Sequence, residues 1–237
     1  MKEIPKIIHQ IWSGVDEPLP EHFRKLGETW KENHPAWEYR FWNEKRMNEF
    51  IQEFYPQYFD TYKGYKYNIQ RWDAIRYLIL EKIGGVYVDF DYECLSPLDD
   101  LLRDKSLCFS SEPGEHLKLF SKEICFNNAL MASVPTHPFM GIIVKAVFEG
   151  IDKGKRYVNK MMEVLETTGP HILTSLYEQY DNKESIYIIP DELVSPLSKN
   201  DVRMYLMNRE LDEKTEAYFD EKLEKAIAVH YFLGGWL

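Results

Sequence analysis

The chain has 237 residues, 44% hydrophobic and 15% aromatic, with 29 basic against 39 acidic side chains and a net charge of −10. That length suits one large α/β domain with its own core, and so aromatic a composition excludes intrinsic disorder. The negative balance excludes a general grip on nucleic acid, which takes a basic surface, and no apolar stretch approaches the roughly 20 residues of a membrane span.

Met1-Lys2-Glu3-Ile4-Pro5 lacks the cationic end and greasy run of a signal peptide. Cys94, Cys108 and Cys125 form no C-x-x-C and no even-numbered framework. Reduced thiols in a bacterial cytoplasmic protein are expected, with peripheral contact to the inner membrane still compatible. Without a repeat, low-complexity tract or Pro/Gly/Ser linker, residues 1–237 are expected to form a single domain.

In chain order, Lys6 to Trp12 reads as a strand closed by Ser13-Gly14, and Pro18 and Pro20 precede a helical run to about Asn33. Trp37 to Trp42 alternates aromatic with charged residues, the mark of a half-buried strand. A helix through Phe54 follows, with Asn43 as its N-cap. Ile69, Trp72, Ile75, Ile79 and Ile83 recur at helical spacing. They predict an amphipathic helix over 68–82 that Gly84-Gly85 stops. Val86-Tyr87-Val88 is then a short strand running into Asp89-Phe90-Asp91. Strands are expected at 107–109, 128–132, 186–189 and 227–232, helices near 138–152, 158–166 and 170–180, and an exposed helical stretch over 200–226. Helices and strands so mixed predict an α/β fold with a mostly parallel central sheet flanked by helices.

Asp89-Phe90-Asp91 is a D-x-D. Composition alone yields roughly one such triplet in a chain like this, so the motif's weight lies in its setting. Both carboxylates emerge where a buried strand ends, the edge at which open α/β sheets bind ligands. If the strand continues, its period of two turns both to one side. Two carboxylates without Cys or His beside them suit a hard ion, Mg²⁺ or Mn²⁺, which takes its other ligands from water and phosphate. A solvated acidic turn is the plain alternative. An acidic protein that holds a diphosphate needs such an ion or a few placed cations.

Asp73-Ala74-Ile75-Arg76-Tyr77 followed by Gly84-Gly85-Val86-Tyr87-Val88-Asp89-Phe90-Asp91 resembles the D-x-x-R-Y … G-G-x-Y-x-D-x-D signature of the DxD sugar transferases. That family includes capsular-polysaccharide sugar transferases, initiating mannosyltransferases and glucosylating toxin domains. Ile4 to Trp12 resembles its I-P-K-I-I-H-Q-I-W start, Asn127 to Ala132 its N-A-hydrophobic segment, Thr168-Gly169-Pro170 its T-G-P, and His230 to Trp236 its H-x-x-x-G-S-W. Gly235 stands where that last pattern has serine, and Trp72 where a small residue is common.

The resemblance implies a GT-A fold, a divalent cation (Mn²⁺ or Mg²⁺), a nucleotide-sugar donor, more often a UDP-sugar than a GDP-sugar, and retention of anomeric configuration. It implies a glycan or lipid-linked glycan acceptor and a role in polysaccharide biosynthesis such as capsule assembly. Residue by residue, Trp12 would stack on the nucleobase, Tyr87 would pack near the ribose, and Asp73 and Arg76 would bind hydroxyls of the donor sugar. Asp89 would touch the ribose and sugar or reach the metal through water, Asp91 would bind the metal directly, His230 would lie beside the metal and diphosphate, and Trp236 would touch the phosphate. The residues alone leave rivals: Asp73 and Arg76 fit a helix-surface ion pair, and Trp12 and His230 fit a packed core. Two other functions also fit, a metal-dependent hydrolase of sugar nucleotides or phosphate esters, and a carbohydrate- or nucleotide-binding protein without turnover.

Overall fold

The computed structural model of the chain describes residues 3–120, 123–150, 155–207 and 212–234. Among the described residues eight strands form: β1 (Ile7–Ile11), β2 (Glu38–Trp42), β3 (Gly85–Val88), β4 (Tyr92–Cys94), β5 (Leu107–Ser111), β6 (Phe126–Ser133), β7 (Tyr187–Ile189) and β8 (Ala228–His230). Six make a central sheet in the order β2-β1-β3-β6-β5-β7, and β4 pairs with β8 in a two-stranded ribbon. In the central sheet only β6 runs against its neighbours. The predicted mostly parallel sheet is therefore present.

The helices are α1 (Glu21–Asn33), α2 (Glu44–Phe54), α3 (Phe59–Gly64), α4 (Asn68–Lys82), α5 (Asp99–Leu102), α6 (Gly114–Phe120), α7 (Pro138–Glu149), α8 (Lys160–Thr167), α9 (Pro170–Glu178), α10 (Asp191–Val194), α11 (Lys199–Met207) and α12 (Glu213–Leu223). Asn43 caps α2 as expected, its side-chain oxygen accepting from the Arg46 amide at 3.0 Å.

Alternation along the strands splits the core in two. Val86 and Val88 of β3, with Cys108, Leu130 and Ala132, face one cluster. Tyr87, with Phe109 and Met131, faces the other, which α4 and α7 complete. Helix α4 differs from its sequence expectation. The isoleucine spacing predicts one apolar face, yet every residue from Asp73 to Leu80 is buried. Its second face carries Gln70, Asp73 and Arg76, which are buried and polar, so the helix lies between the apolar core and a polar cleft.

Gly84 and Gly85 have φ of 71° and 96°. A Cβ on Gly84 would lie 2.7 Å from the Ser133 carbonyl oxygen, and one on Gly85 2.6 Å from that of Ile7. Both positions therefore require glycine, for conformation and for close approach. The segment 200–226 is not one exposed stretch: α11 and α12 bury Val202 and Phe219 with Leu197, Ala226 and Val229. The strand expected over 227–232 contracts to β8, and β4, only three residues long, gave no periodicity to read. Among the described residues no helix is long and apolar enough to cross a membrane.

His9 of β1 ties the glycine turn to the sheet. Its Nε2 donates to the Gly84 carbonyl at 2.9 Å, and its Nδ1 accepts from Trp42 Nε1 at 3.1 Å. Burial lowers its pKa from 6.5 to about 4, against the pull of the Gly84 hydrogen bond. The unfolded chain therefore binds a proton there that the folded one refuses, and stability present above pH 6.5 is lost as pH falls toward 4. The loss amounts to about 3 kcal/mol at the conversion of 1.36 kcal/mol per pKa unit. Urea unfolding of wild type and His9→Asn between pH 7 and 4 should show the wild type losing more stability by this order, although His9→Asn starts lower. Parallel curves would remove His9 as the source.

Candidate active site

Because five strands share a direction, their carboxyl ends meet at one sheet edge, the place where such sheets bind ligands. Trp12 follows β1, Asp89 follows β3 and Glu112 follows β5, while the opposed β6 begins there with Asn127 and Asn128 among its first residues. A cleft of about 1120 Å³ opens at this edge. Trp12, Asp73, Arg76, Tyr87, Asp89, Asp91 and His230 all line it. Trp236, with Gly235, lies outside the described residues.

Arg76 is the hub of the cleft floor. Its Nη2 lies 3.2 Å from Asp73 Oδ1 and its Nη1 3.3 Å from Asp89 Oδ1. Nη1 also donates to the Asn128 carbonyl at 2.9 Å, and the guanidinium lies 4.5 Å from the centre of the Tyr87 ring. Asp73 and Arg76 are 4% and 3% exposed, so the helix-surface reading of this pair fails. Asp73 is held further by Asn128 Nδ2 at 3.0 Å and the Thr168 hydroxyl at 3.2 Å, while Tyr77 joins Asn128 to the Thr168 carbonyl.

One guanidinium thus serves two carboxylates. Burial pushes Asp73 up to about 7, with Arg76 pulling it down and Asp89 adding to the rise. Asp89 is likewise raised by burial, against Arg76 and with Asp91 contributing.

The two carboxylates of the D-x-D do not continue a strand. The ladder of β3 ends with the Asp89 amide donating to the Ala129 carbonyl at 2.8 Å, and the chain turns, Tyr92 N reaching Asp89 O at 3.3 Å. Asp89 and Asp91 sit in that turn, so the period-two argument does not apply. The turn brings them into one cleft. Tyr87 on β3 donates its hydroxyl to Asp89, fixing that side chain.

Strand β4 leaves the turn and pairs with β8, with Tyr92 opposite His230. The two rings stack at 4.3 Å and 8°. This register sets His230 Nε2 3.3 Å from Asp91 Oδ1, while Leu233 N donates to Asp91 Oδ2 at 2.9 Å. Burial favours a neutral pair, but the charge and hydrogen bond of His230 hold Asp91 below its ordinary range, and Asp91 in turn raises His230. His230 therefore stands beside the D-x-D and not in an apolar core. Asn127 Nδ2 contacts its Nδ1 at 3.1 Å.

Trp12 is half-buried, its indole N–H on the Glu17 carbonyl at 2.9 Å and its ring against Phe23 and the edge of Phe90. Sequence reasoning gave Asn127, Asn128, Thr168 and Tyr77 no role, although they brace the charged groups. It placed only the variable loops 110–127 and 191–215 on the acceptor side and singled out neither Glu112 nor His116. Their signal, polar residues inside otherwise apolar segments, is visible at Asn127-Asn128 and absent at the other positions.

The donor set fits a hard divalent ion. Six carboxylates line the cleft, Asp16, Glu17, Asp73, Asp89, Asp91 and Glu112, against the cations Lys66, Arg76, Lys160 and Lys199, and Asp89 and Asp91 stand together at the turn after β3. Among the described residues no three His, Cys, Asp or Glu side chains are grouped as a closed ligand set. One or two carboxylates completed by water and phosphate is the coordination that Mg²⁺ and Mn²⁺ accept.

Residues 20–108 match the family described as the glycosyltransferase sugar-binding region containing a DXD motif. The chain is 37% identical over 177 residues to a mannosyl phosphorylinositol ceramide synthase of Saccharomyces cerevisiae, covering 75% of this chain and 42% of that protein. It is 32% identical over 184 residues to inositol phosphoceramide mannosyltransferase 1 of Schizosaccharomyces pombe, covering 76% and 53%. The chain spans about half the length of these relatives.

Among solved structures, the PaToxG glycosyltransferase superposes with a TM-score of 0.55 at 15% identity, covering 98% of this chain and 88% of the other. The UDP-bound glycosyltransferase domain of the YGT toxin does so at 0.54 and 9%, covering 93% and 89%. These likenesses show the fold, the GT-A type. On the sequence signature, the cleft that gathers it and the family match, residues 20–108 of the chain carry the DXD-containing sugar-binding region of this glycosyltransferase family.

Proposed function

We propose that the protein is a retaining glycosyltransferase that moves a hexosyl group from a nucleotide-sugar donor to a hydroxyl of a glycan or lipid-linked acceptor. The observation that carries this reading is the convergence of the Asp73–Arg76–Asp89 network and the Asp91–His230 pair in one cleft at the carboxyl edge of the sheet. The relatives' names supply the finer choice. Mannose is the first sugar to test and a lipid-linked inositol phosphate the first acceptor, ahead of a capsular polysaccharide. The nucleotide, uridine or guanosine diphosphate, follows from the sugar.

Trp12 offers an indole face at the β1 end for the nucleobase, and Tyr87 fixes Asp89 below the ribose. Asp73 and Arg76 meet the donor sugar with acceptors on one and fixed donors on the other. Asp89 and Asp91 would hold Mn²⁺ or Mg²⁺, which supplies positive charge opposite a leaving diphosphate. His230, whose Nε2 faces Asp91, adds a preorganised hydrogen-bond donor at the same place. Asp73 and Asp89 are both bound to Arg76, so neither is a free nucleophile, and attack from the leaving-group face follows. The acceptor oxygen bonds to C1 as the C1–O bond to the diphosphate breaks, and the acceptor proton passes to a phosphate oxygen of the departing group.

A panel of GDP-mannose, UDP-glucose and UDP-galactose with Mn²⁺ tests the reading by nucleotide release. Release from one donor should quicken on adding acceptor and vanish in excess EDTA. Full activity in EDTA would overturn the metal assignment, and no response to any acceptor would favour a hydrolase.

Asp91→Asn should cost more than tenfold in turnover, about 1.4 kcal/mol of barrier, because a neutral amide is a poor ligand for a hard cation. Retention of a tenth or more of the wild-type rate would remove Asp91 from that role.

Arg76→Lys keeps the charge but cannot reach Asp73, Asp89 and the Asn128 carbonyl together. A loss of about 1–3 kcal/mol in kcat/KM is expected, with some loss of thermal stability because the carboxylates it leaves are buried. Unchanged kinetics in the Lys variant would show that the network is structural only.

A further inference from the structure

The cleft has a wall that the donor scheme leaves unused. Glu112 lies one residue beyond the end of β5, its amide donating to the Cys125 carbonyl at 2.9 Å. Its Oε2 meets His116 Nδ1 at 2.6 Å, and His116 Nε2 accepts from the Lys199 amide at 3.3 Å. Both side chains line the cleft and are largely shielded, 14% and 18% exposed. An amide placed on Nε2 makes Nδ1 the protonated nitrogen, so His116 donates to Glu112 and fixes the carboxylate's direction.

This pair is joined to the reacting centre through rings. His116 stands edge-on to Phe232 at 5.1 Å, and Phe232 lies 4.0 Å from His230, which holds Asp91. Glu112 is close enough to His230 for its charge to act there.

The sheet order locates the pair along the donor's axis. Trp12 ends β1, the D-x-D follows β3, Asn127 and Asn128 begin β6, and Glu112 follows β5. From β1 to β5 is three strand spacings, about 14 Å. A donor with its base at Trp12 and its diphosphate at the D-x-D turn sets its sugar beside α4 and β6. The β5 end lies beyond that sugar, on the side from which an acceptor hydroxyl approaches.

We propose that Glu112, oriented by His116, is the acceptor-binding subsite, and that its carboxylate accepts hydrogen bonds from hydroxyls of a polyol, a sugar or an inositol ring, lying against Phe232. The proposal rests on the glycosyl-transfer reading for its substrate but not for its test. Glu112 is a binding residue, and His116 a positioning residue that acts through it. A fixed carboxylate beside an aromatic ring recognises a polyol by hydroxyl donation and ring contact together. A neutral amide in its place both weakens the acceptor and presents a donor to a donor.

The test uses two soluble probes, methyl α-mannoside and myo-inositol, on the whole protein with Mn²⁺ and nucleoside diphosphate. Ligand-observed NMR reads binding without turnover. Wild type should bind at least one probe, and Glu112→Gln should weaken that binding tenfold or more. The Kd for the nucleoside diphosphate, by calorimetry, should stay within twofold. His116→Gln should raise the acceptor KM with a smaller change in kcat, and Glu112→Asp should restore part of the binding.

Equal losses of nucleotide and polyol affinity would overturn the assignment, as would polyol binding that Glu112→Gln leaves intact, or no polyol binding by wild type. An absence of turnover on every nucleotide sugar, with polyol binding still sensitive to Glu112, would instead sink the transferase reading and leave the subsite standing.

Discussion

The guanidinium of Arg76 is the constraint around which the cleft is built. It is fully enclosed, it touches two carboxylates and a carbonyl, and it lies on the face of Tyr87. A charge buried in this way survives only with partners on every side. Each partner comes from a different element: Asp73 from α4, Asp89 from the turn after β3, Asn128 from β6 and Tyr87 from β3. Satisfying one side chain therefore fixes how the helix, the sheet and the D-x-D turn sit together.

The glycines and an aromatic set the remaining geometry. The turn at Gly84-Gly85 lets α4 drop directly into β3, so that Arg76 and Tyr87 stand face to face. Helix α1 approaches the D-x-D turn through Gly27, where a Cβ would come within 2.8 Å of Phe90. The same helix serves the edge of β4 that β8 leaves unpaired: Trp30 Nε1 donates to the Tyr92 carbonyl and the Thr29 hydroxyl accepts from the Cys94 amide. A three-residue ribbon is marginal by itself. Held by α1, it can carry Tyr92, and across the ladder His230, to a defined position beside Asp91.

What the sequence showed and what it hid divide by distance along the chain. Helix α4, its glycine stop, β3 and the Asn43 cap are legible because their signals are local: periodicity, φ requirements and a side chain bonding three residues ahead. The D-x-D was legible as a motif but not as a turn, since strand periodicity cannot announce where a ladder stops. The braces were hidden because their partners are remote, Asn128 lying 55 and Thr168 95 residues from Asp73. Glu112 and His116 form a local pair at i and i+4. Such pairs are common on exposed helices, and nothing in the sequence says that this one borders a cleft.

The sheet's strand order then does what no single motif does: it gives the cleft a direction. Its residues follow the order β1, β3, β6, β5, an aromatic ring, the D-x-D turn, paired asparagines, and a carboxylate fixed by histidine. Chemical character changes along that edge as a nucleotide sugar changes along its length, from flat base through diphosphate to polyol. The antiparallel β6 is what separates the last two stations. It inserts its Asn127–Asn128 start between the ends of β3 and β5, widening the edge by one strand and bracing His230 and Arg76 from the gap. Were β3 and β5 adjacent, Glu112 would stand one spacing, about 5 Å, from the D-x-D turn, too close to leave room for a hexose between them. The single reversed strand in an otherwise parallel sheet thus supplies the width that the proposed transfer between two bound sugars needs.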